Sequence, residues 1–162
     1  MDKKLAIFDR DGIINREIGR YVFRDSDFEY VPGFWEFVKR LRDQGYCFAV
    51  ATNQGGIAKG LYTHQDFKNL MIRVEKGFAE RNAEYIGTFY APGHDDICKT
   101  LARKPKSLML ERAMAKAKAM PEHAFFIGDS LRDVQAAESA GIRGYRVLPN
   151  TNLNDFFDDY QF

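Results

Sequence analysis

The chain has 162 residues, of which 45% are hydrophobic and 29% are charged, and its 24 basic side chains nearly balance its 23 acidic ones. This length suits one domain with a sizeable core, so we predict a single domain over residues 1–162, and the balanced charge excludes a protein that coats nucleic acid. No apolar run approaches the ~18 residues of a membrane span, no cleavable signal precedes the first strand, and two cysteines build no disulfide framework, so we expect a cytoplasmic protein without a membrane partner.

Short apolar runs alternate along the chain with longer segments of helical periodicity. The apolar runs lack the polar alternation of a half-exposed strand, which is typical of parallel strands covered on both faces. The alternation of strands and helices predicts an α/β fold in which a mainly parallel sheet lies between two layers of helices. The predicted strands are Leu5–Phe8, Cys47–Thr52, Ile86–Tyr90, Ala124–Ile127 and Gly144–Leu148, and the predicted helices cover residues 33–44, 64–82, 107–119 and 131–140.

Four residues mark predicted helix boundaries. Gly45 follows the first helical segment and should end it. Thr63 and Ser107 precede the second and third segments, where a side-chain oxygen can cap the free backbone N–H groups. Pro121 should end the third helical region. The final segment, TNLNDFFDDYQF, is predicted to be a docked tail or a short helix.

Polar residues follow the carboxyl ends of the predicted strands, where sheets of this kind bind their ligands. They include several carboxylates, a hydroxyl, a glycine-lined turn and a lysine, and this inventory suits phosphoryl transfer with a hard, oxygen-liganded cation. In chain order they are Asp9, Asp11 and Gly12 after the first strand, Thr52, Asn53, Gln54 and Gly55 after the second, Arg103 and Lys104 in the loop beyond the third, and Asp129, Ser130 and Asp133 after the fourth.

Two carboxylates one residue apart at the end of a buried strand indicate a positive charge between them. We expect a Mg²⁺ ion held by Asp9, Asp129 and the backbone carbonyl of Asp11. Asp9 can then attack phosphorus and form an aspartyl phosphate, while Asp11 gives a proton to the leaving oxygen and later takes one from water. Asp133 is predicted to anchor the site from behind the metal ligands, and the alternative is a partner of the helix dipole.

The remaining predicted contacts go to the phosphoryl group. Gly12 allows the backbone to turn close to the phosphate, Thr52 offers a hydroxyl and Asn53 a backbone N–H. Lys104 supplies fixed positive charge, because phosphoryl transfer depends largely on positioning and electrostatics. Each of these residues also has a plainer interpretation, as a solvated turn carboxylate, an ordinary turn glycine, a β-branched strand end or a surface lysine. Their occurrence together at successive strand ends favours the catalytic interpretation.

The motifs FDRDGIIN, ATNQGGIAKG, ARKPKSLML and IGDSLRDVQAAESAG occur in this order along the chain. Over roughly residues 5–148 they resemble the motifs of the haloacid dehalogenase-like (HAD) phosphatases. In finer detail they are similar to the branch that contains D-glycero-D-manno-heptose 1,7-bisphosphate 7-phosphatase and histidinol phosphatase. The resemblance implies a three-layer α/β/α Rossmann-like core without a large cap domain. It also assigns substrate binding to Gly12, Asn53, Gln54, Gly55, Arg103 and Ser130.

The same resemblance implies a phosphomonoester hydrolase that works through an aspartyl phosphate with Mg²⁺ as cofactor. Its expected substrate is a small phosphorylated metabolite, with heptose 1,7-bisphosphate first, which would lose its 7-phosphate in heptose synthesis for lipopolysaccharide. Histidinol phosphate or another small sugar phosphate is the alternative. A polynucleotide 3′-phosphatase and a non-catalytic binding domain are more distant alternatives, and we expect a monomer.

The sequence departs from that branch in two places. The branch holds a structural zinc with three cysteines and a histidine, whereas Ala91 and Gly93 stand here where ligands are expected. His94 and Cys98 remain, and since two donors do not make a closed tetrahedral site, we predict no structural zinc. Ser130 stands where heptose bisphosphate phosphatases tend to have a lysine, which weakens the case for a bisphosphate substrate. The segment REIGRYVFRD after the first motif is either a substrate-facing flap or a connecting loop.

Overall fold

The sheet is parallel throughout, as the apolar strands predict. The computed structural model describes residues 3–160, and its strands are β1 (Lys4–Phe8), β2 (Tyr46–Asn53), β3 (Tyr85–Ala91), β4 (Ala124–Gly128) and β5 (Arg143–Arg146). They pair in the order β3-β2-β1-β4-β5, and every neighbouring pair is parallel. The direction in which the strands are added reverses between β1 and β4, so a crevice opens beyond the carboxyl ends of these two strands.

Helices cover both faces of this sheet. Because successive side chains of a strand point to opposite faces, β1 contributes to two cores. The helices are α1 (Phe34–Asp43), α2 (His64–Ala79), α3 (Leu108–Ala117), α4 (Leu131–Ser139) and α5 (Leu153–Asp159). Ala6 and Phe8 pack with α1, α2 and α5, while Leu5 and Ile7 pack with α3 and α4. This confirms the predicted three-layer α/β/α architecture.

The helix boundaries follow the predicted signals in part. Thr63 caps α2 by accepting a hydrogen bond from the backbone N–H of Asp66, and Gly45 follows the end of α1 with a φ of +87°. Ser107 occupies the N-cap position of α3, but its hydroxyl bonds to Glu111 instead of a backbone N–H. The prediction for Pro121 is wrong, because α3 already ends at Ala117 and the left-handed conformation of Lys118 turns the chain. The last strand ends two residues earlier than predicted.

The connections near the carboxyl edge of the sheet are loops. The described chain between β1 and α1 holds one 3-10 turn, Asp25–Asp27, and no domain-sized insertion, as expected without a large cap. The C-terminal segment forms α5, which packs on α1 through Phe156 and Phe37. The last two residues of the predicted tail, 161 and 162, lie outside the described residues. Within residues 3–160, no helix combines the length and the apolar character that crossing a membrane requires.

Candidate active site

The carboxyl ends of β1, β2 and β4 open into a cleft of about 540 Å³. Four predicted site residues, Gly12, Thr52, Gln54 and Gly55, are buried and do not line this cleft, so the structure places them behind its surface. The other predicted residues do line it, namely Asp9, Asp11, Asn53, Arg103, Lys104, Asp129, Ser130 and Asp133.

Asp9 lies directly after β1 at the floor of the cleft, with 8% of its surface exposed. Its Oδ1 accepts hydrogen bonds from the backbone N–H of Arg10 at 2.8 Å and from Nζ of Lys104 at 2.9 Å. Both described donors to Asp9 therefore bond to Oδ1, and Oδ2 remains available to bind an electrophile or a cation. A carboxylate held in this way is suited to nucleophilic attack.

Lys104 is the central cation of the site, and only 3% of its side chain is exposed. Its Nζ lies 2.9 Å from Oδ1 of Asp9 and 2.6 Å from Oδ1 of Asp133. Asn53 fixes the backbone of the lysine, because its Nδ2 donates to the carbonyl of Lys104 at 3.1 Å and its Oδ1 accepts from the N–H of Lys104 at 2.9 Å. This reciprocal pair ties the lysine loop to the end of β2.

The carboxylates of the cleft outnumber its cations. Burial raises the pKa of Asp9 to about 8, with Lys104 opposing the rise and Asp133, Asp129 and Asp11 adding to it. Burial also raises the pKa of Asp129 to about 6, and Asp133 adds to that rise. Burial alone would lower the pKa of Lys104, but Asp9 and Asp133 outweigh it, and the pKa lies above its usual value. The ammonium group of Lys104 therefore stays charged. The neighbouring carboxylates cannot all ionise together, because the positive charge beside them is too small to offset their repulsion.

Three of these carboxylates form a candidate metal site. Asp9, Asp129 and Asp133 each offer an oxygen within 4.8 Å of the others, and no other such acidic, histidine or cysteine group occurs among residues 3–160. Asp133 is already engaged, since its Oδ1 pairs with Lys104 and its Oδ2 accepts from the N–H and the hydroxyl of Ser130 at 3.0 and 2.8 Å. Asp9 and Asp129 remain available, and their hard oxygen donors fit Mg²⁺.

Gly12 is required by the carboxylate of Asp129. Its φ is +86°, and a Cβ at this position would lie 2.2 Å from Oδ2 of Asp129. At Gly128, similarly, a Cβ would lie 2.2 Å from Oδ2 of Asp133. The sequence predicted close approach of a phosphate at Gly12, whereas the structure shows close approach of a neighbouring acidic side chain.

Asp11 lies beside Asp9 and is held from behind. Nη2 of Arg10 and Nδ2 of Asn15 donate to its Oδ1 at 2.8 and 3.0 Å, and Nε2 of Gln54 donates to its Oδ2 at 3.3 Å. Gln54 is 1% exposed, so its side chain contacts Asp11 instead of facing the cleft. The hydroxyl of Thr52 is likewise turned inward and accepts from Gln54 at 2.9 Å.

The loop between β3 and Lys104 is fixed by its own polar contacts. Arg103 donates from Nη1 to the carbonyl of Gly93 at 3.1 Å, and its Nε lies 3.5 Å from Oδ2 of Asp95. His94 packs against Gly55, where a Cβ would lie 2.7 Å from the imidazole Cδ2. Arg103 thus closes the loop and lines the cleft at the same time. The predicted absence of zinc stays a prediction.

The segment after the first motif reaches the cleft through Glu17, Gly19, Arg20 and Tyr21, which favours its interpretation as a flap. Arg20 is paired with Asp27 at 2.9 Å. Sequence reasoning missed Arg132, which also lines the cleft from the first turn of α4. Its place beside Asp133 in the motif IGDSLRD was the available signal.

The fold and the site together define a hydrolase of the haloacid dehalogenase type, with a buried carboxylate directly after the central strand and a lysine bonded to it. An HAD-hydrolase-like family model matches residues 101–155. The D-glycero-β-D-manno-heptose-1,7-bisphosphate 7-phosphatase of Haemophilus ducreyi is 34% identical over 157 residues, which cover 93% of this chain and 85% of that protein. The chain therefore belongs to the haloacid dehalogenase-like phosphatase family, in the branch of the heptose 1,7-bisphosphate 7-phosphatases.

Two further comparisons agree with this membership. The D-glycero-α-D-manno-heptose-1,7-bisphosphate 7-phosphatase of Campylobacter jejuni is 35% identical over 163 residues, covering 99% of this chain and 92% of that protein. The crystal structure of D,D-heptose 1,7-bisphosphate phosphatase from B. bronchiseptica, complexed with magnesium and phosphate, has a TM-score of 0.82 and is 26% identical. That comparison covers 98% of this chain and 88% of the other. The resemblance inferred from the motifs is confirmed.

Proposed function

We propose that this chain is a magnesium-dependent phosphatase that removes the 7-phosphate of D-glycero-D-manno-heptose 1,7-bisphosphate through an aspartyl phosphate on Asp9. The observation that carries the mechanism is the orientation of Asp9. Its Oδ1 is fixed by Lys104 and by the N–H of Arg10, and its Oδ2 carries no described hydrogen bond at the floor of the cleft. The similarity to two heptose bisphosphate phosphatases over most of the chain supports the substrate.

The first step forms a bond between a carboxylate oxygen of Asp9 and phosphorus, and the bond from phosphorus to the leaving sugar oxygen breaks. Asp11 gives its proton to that oxygen, so the product leaves as a neutral alcohol. In the second step, water attacks the phosphorus of the aspartyl phosphate and gives a proton to Asp11. Inorganic phosphate leaves, and the carboxylate of Asp9 and the proton on Asp11 are restored.

The charge of the site is matched to this chemistry. Among residues 3–160, the cations in direct contact with the carboxylates of Asp9, Asp11 and Asp133 are Lys104 and Arg10, and Asp129 adds a fourth negative charge beside them. Mg²⁺ bound by Asp9 and Asp129 would neutralise the excess negative charge and withdraw charge from the phosphoryl oxygens. Lys104 holds the nucleophile in place and adds positive charge beside the phosphoryl group.

The rim of the cleft supports a substrate with a second anionic group. Arg103 and Arg132 line the cleft together with the acidic floor, and Ser130 lies between Asp129 and the first turn of α4. An arginine fork suits a phosphate oxygen pair. The relatives named above differ in the anomer that they act on, so either anomer of heptose 1,7-bisphosphate fits the proposal, and the substrate panel identifies the preferred one. We further propose that the chain is a cytoplasmic monomer and that it acts in heptose synthesis for lipopolysaccharide.

The test is magnesium-dependent phosphate release from a substrate panel, with Asp9→Asn as the blank. The panel contains both anomers of heptose 1,7-bisphosphate, histidinol phosphate, hexose phosphates and a 3′-phosphorylated oligonucleotide. We expect kcat/KM for one heptose anomer to exceed that of every other ester by orders of magnitude. Equal turnover of all esters would contradict the proposed substrate. Normal activity of Asp9→Asn would contradict the proposed role of Asp9 as the nucleophile.

A further inference from the structure

The carboxylate of Asp11 has a donor on each oxygen, and one of these donors belongs to a second layer of hydrogen bonds. Arg10 and Asn15 donate to Oδ1, and within residues 3–160 Gln54 is the donor to Oδ2. Rotation of the carboxylate would break contacts on both sides. The orientation of Asp11 therefore depends on how firmly the amide of Gln54 is itself held.

Gln54 is held at both ends of its amide. Its Nε2 donates to the hydroxyl of Thr52 at 2.9 Å as well as to Asp11, and its Oε1 accepts a hydrogen bond from the hydroxyl of Tyr62 at 2.5 Å. The side chain is buried, so water does not compete for these groups. With all its polar atoms engaged, the amide cannot turn over without leaving a buried group unpaired, which is costly.

Tyr62 is fixed in turn by packing. Its ring stacks on Phe23 with centroids 5.0 Å apart and contacts Tyr21 at 5.8 Å. Gly56 leaves room for the ring, because a Cβ there would lie 2.3 Å from Cε1 of Tyr62. Burial also raises the pKa of Tyr62, so the phenol remains a neutral donor across the working pH range. Tyr62 thus links the flap to the amide behind Asp11.

We propose that Tyr62 and Gln54 are positioning residues that orient Asp11 for proton transfer to the leaving group. This inference rests on the proposed function, in which Asp11 is the acid and base. Neither side chain lines the cleft, so neither contacts the substrate. Their effect is transmitted through the Oδ2 atom of Asp11, the oxygen without a cationic donor.

The leaving group distinguishes this role from a purely structural one. An alkyl phosphate needs a proton on its leaving oxygen, whereas p-nitrophenolate leaves readily without one. The value of kcat/KM reports formation of the aspartyl phosphate, so misorientation of Asp11 should lower it for the alkyl ester and spare it for p-nitrophenyl phosphate. General loosening of the fold would lower both values alike.

The experiment compares Tyr62→Phe and Gln54→Met with the wild-type chain on the best alkyl phosphate of the panel and on p-nitrophenyl phosphate. Tyr62→Phe keeps the ring stacked on Phe23 and removes only the hydroxyl. The matched control is Tyr90→Phe, because the hydroxyl of Tyr90 bonds to Nδ1 of His64 at 2.8 Å and does not face the cleft. Thermal unfolding in the same buffer checks that each variant is folded.

We expect kcat/KM for the alkyl ester to fall about tenfold in Tyr62→Phe and further in Gln54→Met, with a change below about threefold for p-nitrophenyl phosphate. Tyr90→Phe should leave both values unchanged. Equal losses on the two esters, or no loss in folded Tyr62→Phe and Gln54→Met, would overturn the positioning role alone. A wild-type chain that hydrolyses no phosphate ester would overturn the proposed function and this inference with it.

Discussion

Replacing Gly12 with alanine tests whether Asp129 must stand where the structure places it. The new Cβ would lie 2.2 Å from Oδ2 of Asp129, whereas ordinary contact begins near 3.4 Å. The carboxylate must therefore retreat by about 1.2 Å or rotate away from the cleft. Pro149 closes the other side, with its Cβ 3.1 Å from the added atom, so the backbone has little freedom to absorb the overlap.

The expected magnitude has two parts. Alanine at a φ of +86° is strained by about 1 to 2 kcal/mol, which for a chain of this size lowers the melting temperature by about 2–8 °C. The displacement of Asp129 acts on catalysis, where a misplacement of about 1 Å can cost about 100-fold in rate. We therefore expect Gly12→Ala to lower kcat/KM about 100-fold and to raise the Mg²⁺ concentration needed for half activity.

Gly45→Ala is the matched control. Gly45 has a φ of +87°, and no described atom lies within 4 Å of the position of an added Cβ, so this variant shares the backbone strain and lacks the overlap with Asp129. Both variants are compared by thermal unfolding and by phosphate release over a Mg²⁺ titration. Similar losses of stability with a loss of activity only in Gly12→Ala are expected. Equal activity of the two folded variants would refute the placement of Asp129 as a metal ligand.

Three further predictions concern the charges and the loop. Lys104→Met should lower kcat/KM about 100- to 1000-fold in phosphate-release assays and destabilise the fold by about 3–5 kcal/mol in denaturant unfolding, because buried carboxylates lose their cation. In EDTA, stability should fall as pH rises from 3.8 towards about 8, since the raised pKa of Asp9 makes the folded chain bind more protons than the unfolded one. Mg²⁺ should therefore raise the melting temperature more at pH 8 than at pH 6, and an equal shift would contradict this. Elemental analysis should find no near-stoichiometric zinc, because His94 and Cys98 are two scattered donors.

The sheet could be predicted from the sequence because its information is local and periodic. Uninterrupted apolar runs such as Phe48–Ala51 require cover on both faces, and that requirement fixes parallel strands between helices. The end of α3 could not be predicted in the same way. Pro121 is a strong stop signal, but Lys118 adopts the left-handed conformation earlier, and no propensity of lysine indicates this.

The positions of the site residues follow from the same topology, whereas their contacts do not. The sequence places Asp9 and Asp129 at strand ends and Lys104 in the loop beyond the third strand, and the structure brings all three to one cleft. The family resemblance assigns Gln54 to the substrate, yet its side chain turns inward to Asp11. Which way such a side chain turns depends on the partners that the fold supplies, here the distant Asp11 and the nearby hydroxyl of Tyr62, and on the space that Gly56 leaves for the tyrosine ring.

Arg103 connects the loop before Lys104 to the cleft in which we propose that the substrate binds. Arg103 uses Nη1 for the buried carbonyl of Gly93, while Nε faces Asp95 at 3.5 Å, and that carboxylate is 64% exposed. Because the pair is long and its carboxylate is exposed to water, it should contribute little to the stability of the loop. The bond to Gly93 is buried and should persist. Changes in this loop should therefore alter affinity for the remote anionic group of the substrate before they alter the chemistry at Asp9.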